Sequence, residues 1–233
     1  MKIIFTYLLI IFPFSLFSHD KGIDEIIKKF ILEHPEVLIQ SLKNYSEDIA
    51  IKNESEIKNN ISEHQKELFD NNSNTFIGKK NANIVVVEFF DYNCSYCLKA
   101  HLKINELLKK NSNFKVILKH LPILSESSEK LARLAMALSS INRKDFLEFH
   151  EFALKNAYSL KELKLNEYFE SKKIDYGKLK EISNNNEITK LLNKDILLAK
   201  KLGVNGTPAF VINGEVVTGW IGKSSFSKLI NQQ

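Results

Sequence analysis

Two cysteines occur among the 233 residues, and they stand together as Cys94-Ser95-Tyr96-Cys97. A disulfide stabilises chiefly by closing a loop in the unfolded chain, and this loop is among the shortest that can be closed. The pair therefore reads as chemistry: a dithiol that takes a disulfide from another protein or gives one to it. The working species is the thiolate, so one of the two sulfurs must be activated. Glu88 is the second chemical residue. It interrupts the apolar run Ile84-Val85-Val86-Val87-Glu88-Phe89-Phe90, where a carboxylate is costly unless protonated or paired. Two readings stand side by side: a proton acceptor and donor beneath the cysteine pair, with a raised pKa, or an edge residue that reaches water. The third feature is Val204-Asn205-Gly206-Thr207-Pro208-Ala209-Phe210-Val211. Pro208 just ahead of a strand marks a turn, and a cis X–Pro bond is the uncommon choice on local physics alone.

Competing chemistries have less support. A structural zinc site needs four ligands. Only two cysteines exist, no histidine pair has knuckle spacing, and His101 reads as a surface residue of a helix. We therefore expect no metal and no cofactor. The formal charge is +5, a mild excess spread along the chain without a basic block carrying interleaved aromatics. Nucleic acid is not an expected partner.

The elements that must position the pair can be read from periodicity. Ile84–Phe90 is a β-branched-rich run, apolar but for Glu88, the pattern of a strand buried on both faces. The cysteines follow at once, and Cys97–Lys110 reads as a helix with Ala100, Ile104, Leu107 and Leu108 on one face. Phe114–His120 reads as a second strand, completing a βαβ unit. Cys94 then lies at a helix N-terminus, where unpaired N–H groups and the macrodipole favour a thiolate. Cys97, one turn in, should be more buried and act second. Residues 126–202 carry only helical signals, with Ser127 or Ser128 and Ser159 as N-caps and Gly203 as a C′ residue. Ala209–Ile212 and Glu215–Thr218 read as strands joined by an Asn213-Gly214 hairpin turn, and Lys223–Ile230 as a closing helix.

The leading residues have a different character. Lys2 followed by an apolar stretch from Ile3 to Phe17 and a polar exit at Ser18 describes a secretory signal peptide, with an uncleaved membrane anchor as the alternative. Exported chains meet conditions in which disulfides persist. Ile23, Ile26, Ile27, Phe30 and Ile31 keep helical spacing, His34-Pro35 interrupts, and Leu38, Leu42, Tyr45 and Ile49 resume it. Such a narrow aliphatic stripe suits packing against copies of the same chain; folding back over the core is the alternative. From about residue 50 to 72 the stripe thins to Ile51, Ile57, Ile61 and Leu68, as in a polar linker helix.

Together, Glu88-Phe89-Phe90-Asp91-Tyr92-Asn93-Cys94-Ser95-Tyr96-Cys97 and Gly203-Val204-Asn205-Gly206-Thr207-Pro208-Ala209 resemble the thioredoxin superfamily, and within it the DsbA-like branch. The resemblance covers roughly residues 76–231. It implies an α/β, thioredoxin-like fold with an inserted helical domain, here preceded by an N-terminal helical extension. It also implies roles. Cys94 resembles the exposed nucleophile, Cys97 its buried resolving partner, Glu88 the buried acid and Pro208 the cis-proline facing the pair. Thr207 would offer backbone groups to an extended client peptide, with Ser95 and Tyr96 beside it as client-binding residues. The dipeptide Ser95-Tyr96 stands where the strong oxidase of the family has Pro-His, which implies a less depressed thiol and a less oxidising potential. His34-Pro35-Glu36-Val37-Leu38 resembles the oligomerisation segment of ScsC-like proteins, DsbA-fold proteins of which some are trimeric isomerases.

The expected organisation is a signal peptide at 1–18, a helical oligomerisation segment at 19–45, a polar helical linker at 46–75, and a DsbA-like thioredoxin domain at 76–233 with its insertion at about 126–202. The expected function is that of an exported, periplasmic thiol–disulfide oxidoreductase, an oligomeric disulfide isomerase joined through residues 21–45. Its partners would be proteins with thiols or disulfides and a membrane redox protein that reduces or reoxidises the pair. The alternatives are a monomeric oxidase and, from another class, a surface or chaperone-like binding protein with an incidental cysteine pair.

Overall fold

The computed structural model describes residues 21–70, 74–110 and 113–231; the signal-peptide reading lies outside them. The chain divides into two units, residues 1–52 and 53–233. In the first unit, α1 (Lys21–Glu33) is followed by the start of α2 (Pro35–Glu63). The break falls where the sequence places it. Pro35 lacks an N–H and suits the first helical position, while its ring keeps His34 out of helical geometry. His34 N still donates to Phe30 O at 2.8 Å, closing α1. Ile23, Ile26, Ile27, Phe30, Leu38, Leu42 and Tyr45 are all exposed.

The second unit takes in the end of α2 and then α3 (Gln65–Leu68), β1 (Phe76–Gly78), β2 (Ile84–Phe90), α4 (Ser95–Lys110) and β3 (Phe114–His120). A helical block follows: α5 (Glu126–Ile141), α6 (Arg143–Asn156), a 3-10 turn (Ala157–Ser159), α7 (Glu162–Ser171), α8 (Tyr176–Ser183) and α9 (Asn186–Lys201). The hairpin β4 (Ala209–Ile212) and β5 (Glu215–Thr218) and the helix α10 (Lys223–Ile230) close it. The sheet order is β1-β3-β2-β4-β5. The β2 and β3 strands are parallel, with Glu88 opposite Leu118 and Phe90 opposite His120; β4 runs antiparallel to β2. The expected α/β architecture with a helical insertion is thus present.

Side chains alternate across β2, so the sheet has two cores. Val86 and Phe90 join Val116, Leu118 and Phe210 on the side where α4, α5 and α6 pack. Val87 and Phe89 join Ile117 and Val211 on the other, together with Ile61, Leu68, Leu198 and Leu202. The polar stretch that the sequence suggests as a linker therefore gives two of its few aliphatic residues, Ile61 and Leu68, to the core. The strand β1 has no strong sequence signal. It is three residues long and exists by pairing antiparallel to β3. Gly78 ends it at φ +93°, and a Cβ there would lie 2.4 Å from Phe114 O, so only glycine fits.

Two cap assignments need correction. Ser125, not Ser127 or Ser128, caps α5, its side chain accepting from Ser128 N. Ser159 falls in the 3-10 turn, and Lys161 precedes α7 without a side-chain cap. The expected end of α9 is present: Gly203 N donates to Lys200 O and Val204 N to Ala199 O, the paired bonds of a Schellman motif with Gly203 at φ +67°. This turn delivers the chain to Thr207 and Pro208.

Candidate active site

The parallel strand β2 ends at Phe90, and Asp91-Tyr92-Asn93 carries the chain over the sheet edge into α4. Helix α4 begins at Ser95, two residues earlier than the sequence reading places it, which makes Cys94 the residue flanking its start. Its sulfur occupies the place a capping hydroxyl takes elsewhere: Cys97 N donates to Cys94 Sγ at 3.2 Å. The Cys94 thiol in turn donates to Thr207 O at 3.3 Å. The two sequence-predicted segments, 113 residues apart, therefore meet at this sulfur. The Thr207–Pro208 bond is cis, Pro208 is buried, and Pro208 O accepts from Gly219 N at 2.8 Å. Thr207 Oγ1 is buried and has no partner while Cys94 donates its thiol proton to Thr207 O, and it is this side chain that hydrogen-bonds the thiolate.

Both cysteines are free thiols, and their environments pull them apart. Cys94 is held down at about 6, first by the Cys97 thiol hydrogen-bonding to it, then by Thr207 and the N–H groups of Cys97 and Tyr96, against the opposing effect of burial. Burial drives Cys97 far up, with the bond to Cys94 and the nearby Glu88 adding to it. Cys97 is the more buried of the two at 1% exposed, but Cys94 is itself only 6% exposed, so it is less open than the resemblance implies. The Thr207 loop lies over it. Ser95 and Tyr96, between the cysteines, are exposed, and the Tyr96 ring lies 4.7 Å beneath Lys99 Nζ.

Glu88 is 2% exposed and sits in the middle of the sheet, which removes the edge reading. It alternates with Val87 and Phe89 and so faces the side on which Cys97 and α4 pack. Burial, and then the charge on Cys94, push its carboxyl up to about 8. A group titrating there can exchange a proton with a thiol near neutral pH.

Sequence reasoning missed the groups that hold this turn. Asp91 is 1% exposed. One of its oxygens accepts from Asn93 N at 2.8 Å; the other accepts from Ile123 N at 2.9 Å and Leu124 N at 3.0 Å. Asn93 Nδ2 lies within 3.0 Å of the hydroxyls of Ser125, Ser127 and Ser128. Tyr158 donates its hydroxyl to Asn93 O at 2.6 Å. The polar run Asp91-Tyr92-Asn93 was a visible signal of a constrained turn, but its partners lie 32 to 65 positions away. His101 also needs correction: it is 4% exposed, packs its ring 5.0 Å from that of His150, and is pushed down to about 4 by burial. Its helix face turns toward the insertion rather than to solvent.

Known proteins resemble this chain in sequence and fold. The DSBA-like thioredoxin domain matches residues 85–232. Among solved structures, the thiol-disulfide exchange protein alpha-DsbA2 of Wolbachia pipientis is 25% identical with a TM-score of 0.68, over 77% of this chain and 96% of that one. A linker-deleted form of ScsC from Proteus mirabilis is 22% identical with a TM-score of 0.67 and shares the fold over 94% of this chain and 96% of that one. Among curated relatives, the sodium/proton antiporter NhaA 3 of Salinispora tropica is 26% identical over 137 residues, 59% of this chain and 21% of that protein. The chain spans between 21% and 66% of the length of the curated relatives it matches. With the domain match covering more than half of its residues, the chain belongs to the DSBA-like thioredoxin domain family.

Proposed function

We propose that the chain is an exported thiol–disulfide oxidoreductase working through Cys94 and Cys97. The observation that carries this is the convergence on one sulfur: Cys94 Sγ receives the Cys97 N–H at 3.2 Å and touches Thr207 O at 3.3 Å. The Cys94 thiolate attacks a client disulfide, forming a mixed disulfide and expelling the client's other sulfur as a thiolate, which takes a proton. Two outcomes follow. Cys97 gives up its proton to Glu88 and attacks Cys94 Sγ, releasing the client dithiol and leaving the Cys94–Cys97 disulfide. Alternatively a client thiol attacks the mixed disulfide, and the client leaves with a rearranged bond and no net redox change. Thr207 O accepts from an extended client backbone in place of the thiol, with Ser95 and Tyr96 at the rim.

We favour the second outcome, isomerisation by an oligomer joined through residues 21–45 and kept reduced by a membrane redox protein. The exposed aliphatic faces of α1 and α2 support it, as does the fold match to ScsC along nearly the whole chain. Joined active sites raise the local thiol concentration around a bound client. One observation favours a monomeric oxidase: Cys94 held down at about 6 stabilises the reduced pair, which makes a disulfide easier to give away. No helix among the described residues is long and apolar enough to cross a membrane.

The test of the dithiol is a trap. With Cys97→Ala the resolving thiol is gone, and reduced protein presented with scrambled ribonuclease should accumulate as a covalent adduct through Cys94. An empty trap, in a variant that keeps its fold, would favour a binding protein with an incidental cysteine pair.

A further inference from the structure

The helical insertion reaches the nucleophile through one exposed side chain. Tyr158 is 78% exposed and lies in the 3-10 turn after α6, so its ring contributes little to the core. Its hydroxyl nevertheless donates to Asn93 O at 2.6 Å. Asn93 O is the carbonyl of the peptide whose N–H belongs to Cys94, and that N–H donates to Asp91 O at 3.1 Å. Both polar ends of the peptide plane leading into Cys94 are therefore held, one by the strand-to-helix turn and the other by the insertion. The rest of Asn93 is fixed as well, by Asp91 Oδ1 on its N–H and by Ser125, Ser127 and Ser128 around its amide. An amide has two hydrogens, so the three hydroxyls share them, which locates the side chain without fixing the carbonyl. The carbonyl depends on Tyr158.

We propose that Tyr158 is a positioning residue for Cys94: its hydroxyl fixes the Asn93–Cys94 peptide plane, and with it the direction in which the nucleophilic sulfur meets the N–H groups at the start of α4. This deepens the dithiol reading and rests on it. The contact of Cys97 N with Cys94 Sγ, at 3.2 Å, is short for a bond to sulfur, and hydrogen bonds weaken steeply as the donor angle departs from linear, so a rotation of the plane that carries the sulfur off the N–H direction weakens it. Without the hydroxyl the carbonyl turns to solvent and the plane is free to rock.

The test is the pH dependence of Cys94 alkylation by iodoacetamide in the full chain, for wild type, Tyr158→Phe and Tyr158→Ala. Urea unfolding of each variant checks the fold. Both substitutions should raise the midpoint of the profile together and lower the alkylation rate at pH 5 by about threefold, the effect of weakening one hydrogen bond to a charged group. Unfolding at pH 5, where Cys94 is largely protonated in both states and its pKa no longer bears on stability, should be unchanged, since the ring is exposed. A low wild-type midpoint that Tyr158→Phe leaves in place would overturn the positioning role alone. A wild-type midpoint near that of free cysteine would overturn the nucleophile reading together with it. A shift in Tyr158→Ala without one in Tyr158→Phe would assign the effect to the ring and also overturn the proposal.

Discussion

Glu88 and Cys94 carry opposite pH signatures. The Glu88 carboxyl moves from 4.5 up to about 8, so the folded chain keeps its proton longer than the unfolded chain does. The stability this contributes is full below pH 4.5 and is lost as pH rises through 8. Cys94 moves from 9.0 down to about 6. Its contribution is full above pH 9 and is lost as pH falls through 6. Between pH 6 and 8 the two slopes oppose one another in the reduced chain, each about 1.4 kcal/mol per pH unit at most. In the oxidised chain Cys94 has no proton to lose, while burial, the first cause of the Glu88 shift, remains. Urea resistance of the oxidised chain should therefore fall steadily from pH 6 to 8, and that of the reduced chain should change far less. Glu88→Gln should flatten the oxidised profile. Equal slopes in oxidised wild type and Glu88→Gln would mean that Glu88 titrates like a surface carboxylate.

At the scale of elements, the insertion is tied to the sheet by a buried charge pair. Asp195 of α9 accepts the backbone N–H of His120 at 3.0 Å and faces Lys119 Nζ at 3.3 Å; both side chains are less than a tenth exposed. Removing one partner leaves the other charge buried alone. Lys119→Met should cost roughly 3–5 kcal/mol in urea unfolding, and adding Asp195→Leu should recover much of it. A single-variant cost under about 1 kcal/mol would mean that water reaches the pair. Legibility also divides at this scale. The β2, β3 and β4 strands and the Asn213-Gly214 turn could be read from the sequence because their signals are local: apolar runs and a dipeptide that tolerates positive φ, as both residues show. The cysteine pair, Glu88 and the Thr207-Pro208 turn were legible for the same reason. The β1 strand was not, because a three-residue edge is defined by its partner. Nor was the clamp on Asn93, whose holders come from the start of α5 and the turn after α6. Periodicity placed the helix carrying His101 but not the direction in which that residue faces, which the packing of α6 decides.

The molecule joins a domain built on two buried clusters to a unit whose described residues enter neither of them. Neither buried cluster draws a residue from before Ile57, while Ile26, Phe30, Leu38 and Leu42 of the first unit are all exposed. Aliphatic faces of this kind are stabilised by burial against a partner, at about 25 cal/mol per Å² removed from water. On the proposed assembly, a second copy of the same helices would supply a self-complementary surface. Changes in this unit should therefore alter assembly without unfolding the domain that holds the cysteines. Removing residues 21–52 is the appropriate truncation; a cut as late as residue 72 would take Ile61 and Leu68 out of the core. Phe30→Glu with Leu42→Glu makes the same test without shortening the chain. By light scattering the intact protein should be an oligomer, and both altered forms should be monomers with an unchanged urea midpoint for the remaining domain. Reactivation of scrambled ribonuclease should fall sharply in both, because it draws on several thiols near one client. Reduction of a small disulfide, which needs only one Cys94–Cys97 pair, should persist. A monomeric intact protein, or monomeric variants that reactivate ribonuclease as fast as the parent, would remove the assembly from the mechanism and leave the oxidase reading in its place.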